Sequence, residues 1–451
     1  MEPLELKSDQ WLGIHLDSDT YAPGDTITGY VYRERSISTP DAIISCCLHG
    51  GAKVIFDRDA RDVSQFSLLA CRGEPDIIHR GPLHIRKRTS QQWPFSLNVP
   101  TYADSTLNTG NTSTACTPVG ATDHQLPPTY QLSLDNVVNI FVEYFVVVNF
   151  MFEGFGTQMI KSLHPFKLVQ YSPNPPIADF GIRVCRYPKS MTSTRLIPGM
   201  QEGRSSLLGW TKRSLSRLDD PTFTYELIFG FPTKIQMDNP TPIPLQLVVI
   251  PNWETTSEII QNVPQQFKLL SMKVLLVTCT KVMTKSGREK CYTRPVDLCI
   301  SKALDRLQKE VLIPCDSDWD PIDIGEMTNL RVGLRQFGFH TMSTGEKCTP
   351  SFRTYNMTVT HRLQWKIEAK VAGQTVTIEG QANVLVLRSS DEREHSTQGQ
   401  DAYEIGRSLD MGVGSSEVEE DESWIRPPPE NDAPPSFADA TVMDRIIETR
   451  R

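Results

Sequence analysis

A two-residue alternation of apolar and polar positions is the dominant pattern in the chain. Ile44, Cys46, Leu48, Gly50, Ala52, Val54 and Phe56 are all small or apolar, and the alternates Ser45, Cys47, His49, Gly51, Lys53 and Ile55 are mostly polar. Successive side chains of a strand point to opposite faces, so this run predicts a strand with one face on a core, Cys46 inward and Cys47 outward. The pattern returns near the other end. Tyr355, Met357, Val359, Leu363, Trp365, Ile367, Ala369 and Val371 share a face that only His361 interrupts, while Thr358, Thr360, Arg362, Gln364, Lys366, Glu368 and Lys370 share the other. Ala372-Gly373-Gln374 then turns the chain, and Val376, Ile378, Ala382, Val384 and Val386 alternate again. Together these predict a long β-hairpin with one buried face, on which His361 is a core or domain-interface residue.

The most apolar run, residues 136–152, reads NVVNIFVEYFVVVNFMF. It is shorter than a bilayer span and contains Asn139, Glu143 and Asn149. Its β-branched and aromatic residues suit a strand buried on both faces. Helical periodicity is weak everywhere, with short candidates at 304–311 and 442–447. Residues 101–123, rich in Ser, Thr, Asn and Gly, read as a long loop. Residues 190–220, polar and basic, read as a linker or loop at or beside a domain boundary. The expected plan is all-β: an antiparallel immunoglobulin-like β-sandwich over 10–180, the linker, a second sandwich over 222–389, and a disordered tail over 390–451. Each sandwich should hold seven or eight strands, with helix under a tenth of the chain.

Composition sharpens this picture at two points. The 451 residues carry a formal charge of −8, but from Asp391 onward 16 acidic and 6 basic residues give −10, leaving about +2 on everything before. A nearly neutral body argues against nucleic acid as a partner, and the acidity belongs to the tail. The 32 prolines favour short strands joined by many turns. Ten cysteines without a CxxC pair, and no basic-then-apolar leader at the start, lead us to expect reduced cytosolic thiols.

Motifs of catalysis are missing. The nine histidines are dispersed, and neither GxSxG, Walker A, HExxH nor a Gly-rich phosphate loop occurs, so no enzyme and no cofactor is expected. Asp316, Asp318 and Asp320 mimic a calcium loop, but Pro321 and Met327 stand where an EF-hand needs Gly and Glu. No metal site is therefore expected. Arg86-Lys87-Arg88 is a candidate contact for anionic lipid, adjacent charges adding roughly 1 kcal/mol each near such a surface.

Several segments in order resemble the arrestin family. Residues 16–31, LDSDTYAPGDTITGYV, are similar to the opening of an arrestin N-terminal domain, with a strand, a Pro-Gly turn and an I-x-G-x-V strand. The run from Ile44 to Phe56 resembles the next strand. Trp93-Pro94-Phe95 through Pro100 is similar to the aromatic-Pro-Phe strand, and Leu126-Pro127-Pro128-Thr129-Tyr130 to the family's LPPS-aromatic element. Val142-Glu143-Tyr144 resembles the strand after it. Residues 241–249 resemble the strand opening the C-terminal domain, and the hairpin from Tyr355 to Leu387 the one closing it. The tail makes the chain look like the α-arrestin branch, the arrestin-related trafficking adaptors.

That resemblance implies a cytosolic adaptor, recruited transiently to the plasma membrane or endosomes. It would join cytoplasmic segments of membrane proteins to endocytic and ubiquitylation machinery, through PPxY motifs that dock WW domains of HECT-type ligases. Polyproline II is pre-extended, which makes such docking entropically cheap. The tail offers Pro434-Pro435-Ser436-Phe437, in which Phe437 keeps the ring but lacks the Tyr hydroxyl, a loss of about 1–3 kcal/mol. Pro127-Pro128-Thr129-Tyr130 matches PPxY literally, but sits where the family has a strand entry, so Tyr130 is expected to pack inside the sandwich. A second reading within the same fold is a scaffold like the retromer's arrestin-fold subunit, needing no PPxY.

Overall fold

The computed structural model describes residues 12–391 and 393, apart from 57–61, 71–74, 105–106, 108–124, 135–137, 155, 199–219, 284–288, 317–319, 334–335, 339 and 342–347. The helical candidate at 442–447, the tail and most of the 101–123 loop lie outside these residues. The described residues are almost all β, with 64% in strands against 6% in helix.

The first core is built from ten strands: β1 (Leu12–Leu16), β2 (Thr20–Tyr21), β3 (Thr26–Arg33), β4 (Ile37–Phe56), β5 (Asp62–Leu69), β6 (Asp76–Ile85), β7 (Gln91–Asn98), β8 (Tyr130–Leu134), β9 (Val138–Gly154) and β10 (Gly156–Leu168). A three-stranded sheet, β1-β3-β7, faces a seven-stranded one, β2-β10-β9-β4-β5, to which β6 and β8 add at β4 and β9. The alternation read from β4 decides its inner face, since Ile44, Cys46, Ala52, Val54 and Phe56 are all buried. β9 lies between β4 and β10, and its even-numbered residues from Val138 to Phe150 all fill the core. Its other face is covered unevenly: Val147 is buried, Phe141 and Phe145 are partly exposed and Glu143 is exposed.

The second core follows with β11 (Tyr171–Ser172), β12 (Ile182–Thr192), β13 (Thr222–Pro232), β14 (Lys234–Gln236), β15 (Gln246–Pro251), β16 (Phe267–Met283), β17 (Glu289–Asp297), β18 (Leu312–Ile313) and β19 (Ile322–Asp323). A small sheet of β20 (Arg331–Val332), β21 (Gln336–Gly338) and β22 (His340–Thr341) comes next, then β23 (Phe352–Arg353), β24 (Met357–Val371), β25 (Gln374–Leu387) and β26 (Ser389–Ser390). Here a four-stranded sheet, β12-β13-β15-β19, faces β14-β25-β24-β16-β17, with β18 and β23 added to β16 and β24. The β24–β25 hairpin closes on two residues, Ala372 at φ 46° and Gly373 at φ 80°, the positive pair that a tight turn between twisted strands requires. Its inner face carries Trp365, 3% exposed, packed with tilted rings against Phe229 and Phe231 at centroid distances of 5.0 and 4.9 Å.

Four expectations need correcting. The pairing is not wholly antiparallel: β2 with β10, β14 with β25 and β11 with β26 are parallel. In each sandwich a stretch leaves the small sheet and joins the large one alongside its last long strand, as at β1 to β2 and at β13 to β14. Pro232 marks the second crossing, because it has no N–H for the ladder. Short crossing pieces also raise the strand number above eight in each sandwich. Residues 190–220 do not lead from one core to the other. They connect β12 to β13, which pair along their whole lengths, and residues 190–192 are already strand. The helix expected over 304–311 is Ile300–Arg306, placed by buried Ile300 and Ala303 and ended where Gln308 takes φ 49°.

Residues through Asp391 form one compact unit containing both cores. β11, just after the first core, pairs with β26, at the end of the second.

Candidate partner-binding site

The two cores meet along a seam built mostly by the ends of β16 and β24. Val282, Phe352, Tyr355, Met357 and Val359 belong by sequence to the second half, yet pack within the first core. Tyr355 stacks on Phe66 with centroids 5.4 Å apart, and Phe352 meets Tyr130 edge-on at 5.5 Å. Polar contacts fix the register of this apolar join. Asn356, 2% exposed, donates through Nδ2 to the carbonyls of Ala52 at 3.4 Å and Ser64 at 3.1 Å, and its Oδ1 accepts from the Thr354 hydroxyl at 3.2 Å. The Tyr130 hydroxyl lies 2.6 Å from Thr280 Oγ1. Arg388 donates to Gln125, and Lys290 stands over the Phe56 ring at 4.6 Å.

Beside this seam opens a cleft of about 770 Å³ with walls from both cores. β8 presents Gln131 and Ser133, β10 presents His164 and Lys167, β16 presents Thr278, and β17 presents Arg294, with Asp19 and Thr349 at the margins. Pro165, Phe166, Leu276 and Val296 complete the lining, so apolar wall alternates with hydroxyl, amide and cationic groups, a mixture that suits a peptide carrying both apolar and polar or acidic side chains. Tyr130 titrates above the usual phenol range, chiefly through burial, with Thr280 and Arg294 acting the other way. Burial pushes the Cys348 thiol up to about 12, so it stays protonated at neutral pH.

Arg86, Lys87 and Arg88 form an exposed turn between β6 and β7, held by Thr89 donating from N and Oγ1 to the Arg86 carbonyl, with Arg88 at φ 64°. They are not part of the cleft. Pro434, Pro435, Ser436 and Phe437 lie outside the described residues. Tyr130 of the literal PPxY is 8% exposed and engaged at the seam, and Tyr144 donates to the Pro127 carbonyl at 2.7 Å, so this copy of the motif is a structural joint. His361 is buried, with Nδ1 3.0 Å from the Ser351 hydroxyl, and burial lowers its pKa to about 4. Asp318 lies outside the described residues, and Asp323 instead caps the short helix Ile324–Met327, accepting from Glu326 N.

Cysteine placement differs from the expectation. Cys46 is buried, but Cys47, placed on the wet face by the alternation, is only 8% exposed and is disulfide-bonded, against the expectation of uniformly reduced thiols. No helix among the described residues is long and apolar enough to cross a membrane. Among the sequence signals, nothing local pointed to the cleft. Its walls come from two cores whose residues are more than 100 positions apart, brought together by seam contacts such as the Tyr130–Thr280 pairing. No protein-family model matches the chain, and no curated protein matches it closely enough to count as a relative.

Proposed function

We propose that this protein is an arrestin-like adaptor, in which the joined sandwiches hold cytoplasmic segments of membrane proteins and the acidic, proline-containing tail recruits WW domains of ubiquitin ligases. The observation that carries this reading is the seam. Two similar sandwiches, each a small sheet on a seven-stranded one, are locked by buried aromatic and amide contacts and flanked by a cleft of mixed apolar and polar lining drawn from both. Such an arrangement presents a rigid composite surface for peptides, as an adaptor requires. The resemblance of residues 10–389 to the arrestin domains supports it independently.

Titration of WW domains against the full chain tests the recruiting half. Phe437→Tyr restores the phenol hydroxyl and is expected to tighten binding about fivefold, equivalent to about 1 kcal/mol, while Phe437→Ala removes the ring and abolishes it. Failure of the Tyr variant to bind any WW domain contradicts ligase recruitment through this segment and leaves the retromer-like scaffold as the better reading.

A further inference from the structure

The second sandwich carries an anomaly on the face turned away from its core. Antiparallel sheets that face water on one side alternate apolar-in and polar-out. In the four-stranded sheet the inward set, Phe223, Tyr225, Leu227, Phe229 and Phe231, fills the core as expected. The outward set is polar toward Thr192 and Thr222, but toward the other end it carries a cluster of aliphatic residues, Ile182, Val184, Ile228, Val248 and Ile250. Register places Ile228 beside Val248 and Arg186, Glu226 beside Ile250 and Pro188, and Gly230 beside Val184. A side chain at Gly230 would meet Ile182 Cγ2 at 3.4 Å, which puts Ile182 on this same face. Ile182 and Val184 are 38% and 55% exposed, and Ile228 belongs to neither core.

This patch runs out to β12, which ends its sheet: among the described residues nothing pairs with its far margin. Pro188 lies within β12 and has no N–H, a residue tolerated on a margin and not inside a ladder. Open margins are templates for another strand, and proteins commonly blunt them with charge. Here the charge is of one sign. β12 reads IRVCRYPKSMT, with exposed Arg183, Arg186 and Lys189 and no acidic residue, and among the described residues only Arg186 of the three meets a carboxylate, Glu226 at 2.9 Å. Two copies of β12 laid side by side would oppose these cations to one another. An acidic strand would neutralise them.

We propose that the free margin of β12 is a docking site for an extended partner segment of alternating acidic and aliphatic residues. The segment adds as a fifth strand, sets its aliphatic side chains beside Ile182 and Val184, and sets its carboxylates near Arg183 and Lys189. Main-chain pairing gives the affinity and the alternate side chains give the selectivity. The proposal uses neither the cleft nor the tail, so it stands apart from the adaptor reading.

Fluorescence anisotropy of the full chain with labelled peptides decides it. The probes are (Glu-Val)4, (Lys-Val)4, and (Glu-Val)4 with alternate backbone nitrogens methylated. The acidic peptide is expected to bind at least about tenfold more tightly than the basic one, through charge complementarity. Methylation should abolish binding, since it removes the donors of the added strand. Val184→Ser should weaken binding about threefold through lost apolar contact, and joint Arg183→Glu and Lys189→Glu should reverse the preference. Val184 is exposed, and unchanged melting of that variant shows that the fold is kept. Equal binding of the acidic and basic peptides, retention by the methylated peptide, or no binding up to about 1 mM overturns the proposal. So does self-association of the chain that Val184→Ser disrupts, which would assign the margin to a second copy.

Discussion

Tyr130→Phe removes one oxygen atom from the seam and leaves its shape intact. Tyr130 is 8% exposed and Thr280 1%, and their hydroxyls lie 2.6 Å apart, with no other side-chain hydrogen bond to either among the described residues. Phe at 130 strands the Thr280 hydroxyl in the interior, and Val at 280 strands the Tyr130 phenol, each at about 1–3 kcal/mol. With both replaced, neither group is left unsatisfied, and the loss reduces to the net value of one hydrogen bond, about 0.5–1.5 kcal/mol. At mid-range the double variant should therefore cost less than the sum of the singles by roughly 3 kcal/mol, the top of the range seen for contacting pairs. Urea unfolding of the four proteins, followed by tryptophan fluorescence, gives the cycle from midpoints and slopes. Additivity within about 0.5 kcal/mol would mean that the hydroxyls do not depend on each other, and the seam would lose its polar register.

Two further outcomes follow from burial. Trp365→Asp should unfold the second core, since it places a carboxylate between Phe229 and Phe231 at a cost of several kcal/mol, whereas Lys366→Asp on the exposed face should leave the melting temperature nearly unchanged; equal shifts would show the register to be wrong. His361 has its folded pKa lowered from 6.5 to about 4 by burial, so the unfolded chain binds the extra proton first, and stability present above pH 6.5 is lost as pH falls toward 4, by up to about 3 kcal/mol. Denaturation of the wild type and His361→Gln from pH 7 to 4 should show a shallower acid loss in the variant, and identical slopes would contradict the assignment.

The long strands were legible because a period of two needs several repeats to be visible, and β4, β24 and β25 supply them. Every apolar position read on the inner side of β24, His361 included, is buried. β2, β14, β11 and β26 have two or three residues each, too few to carry a period, and their parallel pairing depends on strands more than 100 positions away. The boundary was misplaced for a related reason. Ser190 and Thr192 look like linker residues, but they occupy the outward side of a margin strand, where polar side chains are expected. Asn356 and Tyr130 carry no local sign of the seam, since their partners Ser64 and Thr280 lie 292 and 150 residues away. Cys47 misled because alternation reports only which face a side chain takes, and not what covers that face.

Comparative affinity purification tests the adaptor account most directly, using the full chain and a chain ending at Asp391. That end point keeps the Ser389–Ser390 strand paired with Tyr171–Ser172, so loss of the clasp cannot be mistaken for loss of the tail. The account predicts that membrane-protein segments are retained by both chains, while WW-domain ligases are recovered with the full chain alone. Ligases held equally by the shortened chain, or membrane-protein segments recovered with neither, would contradict it.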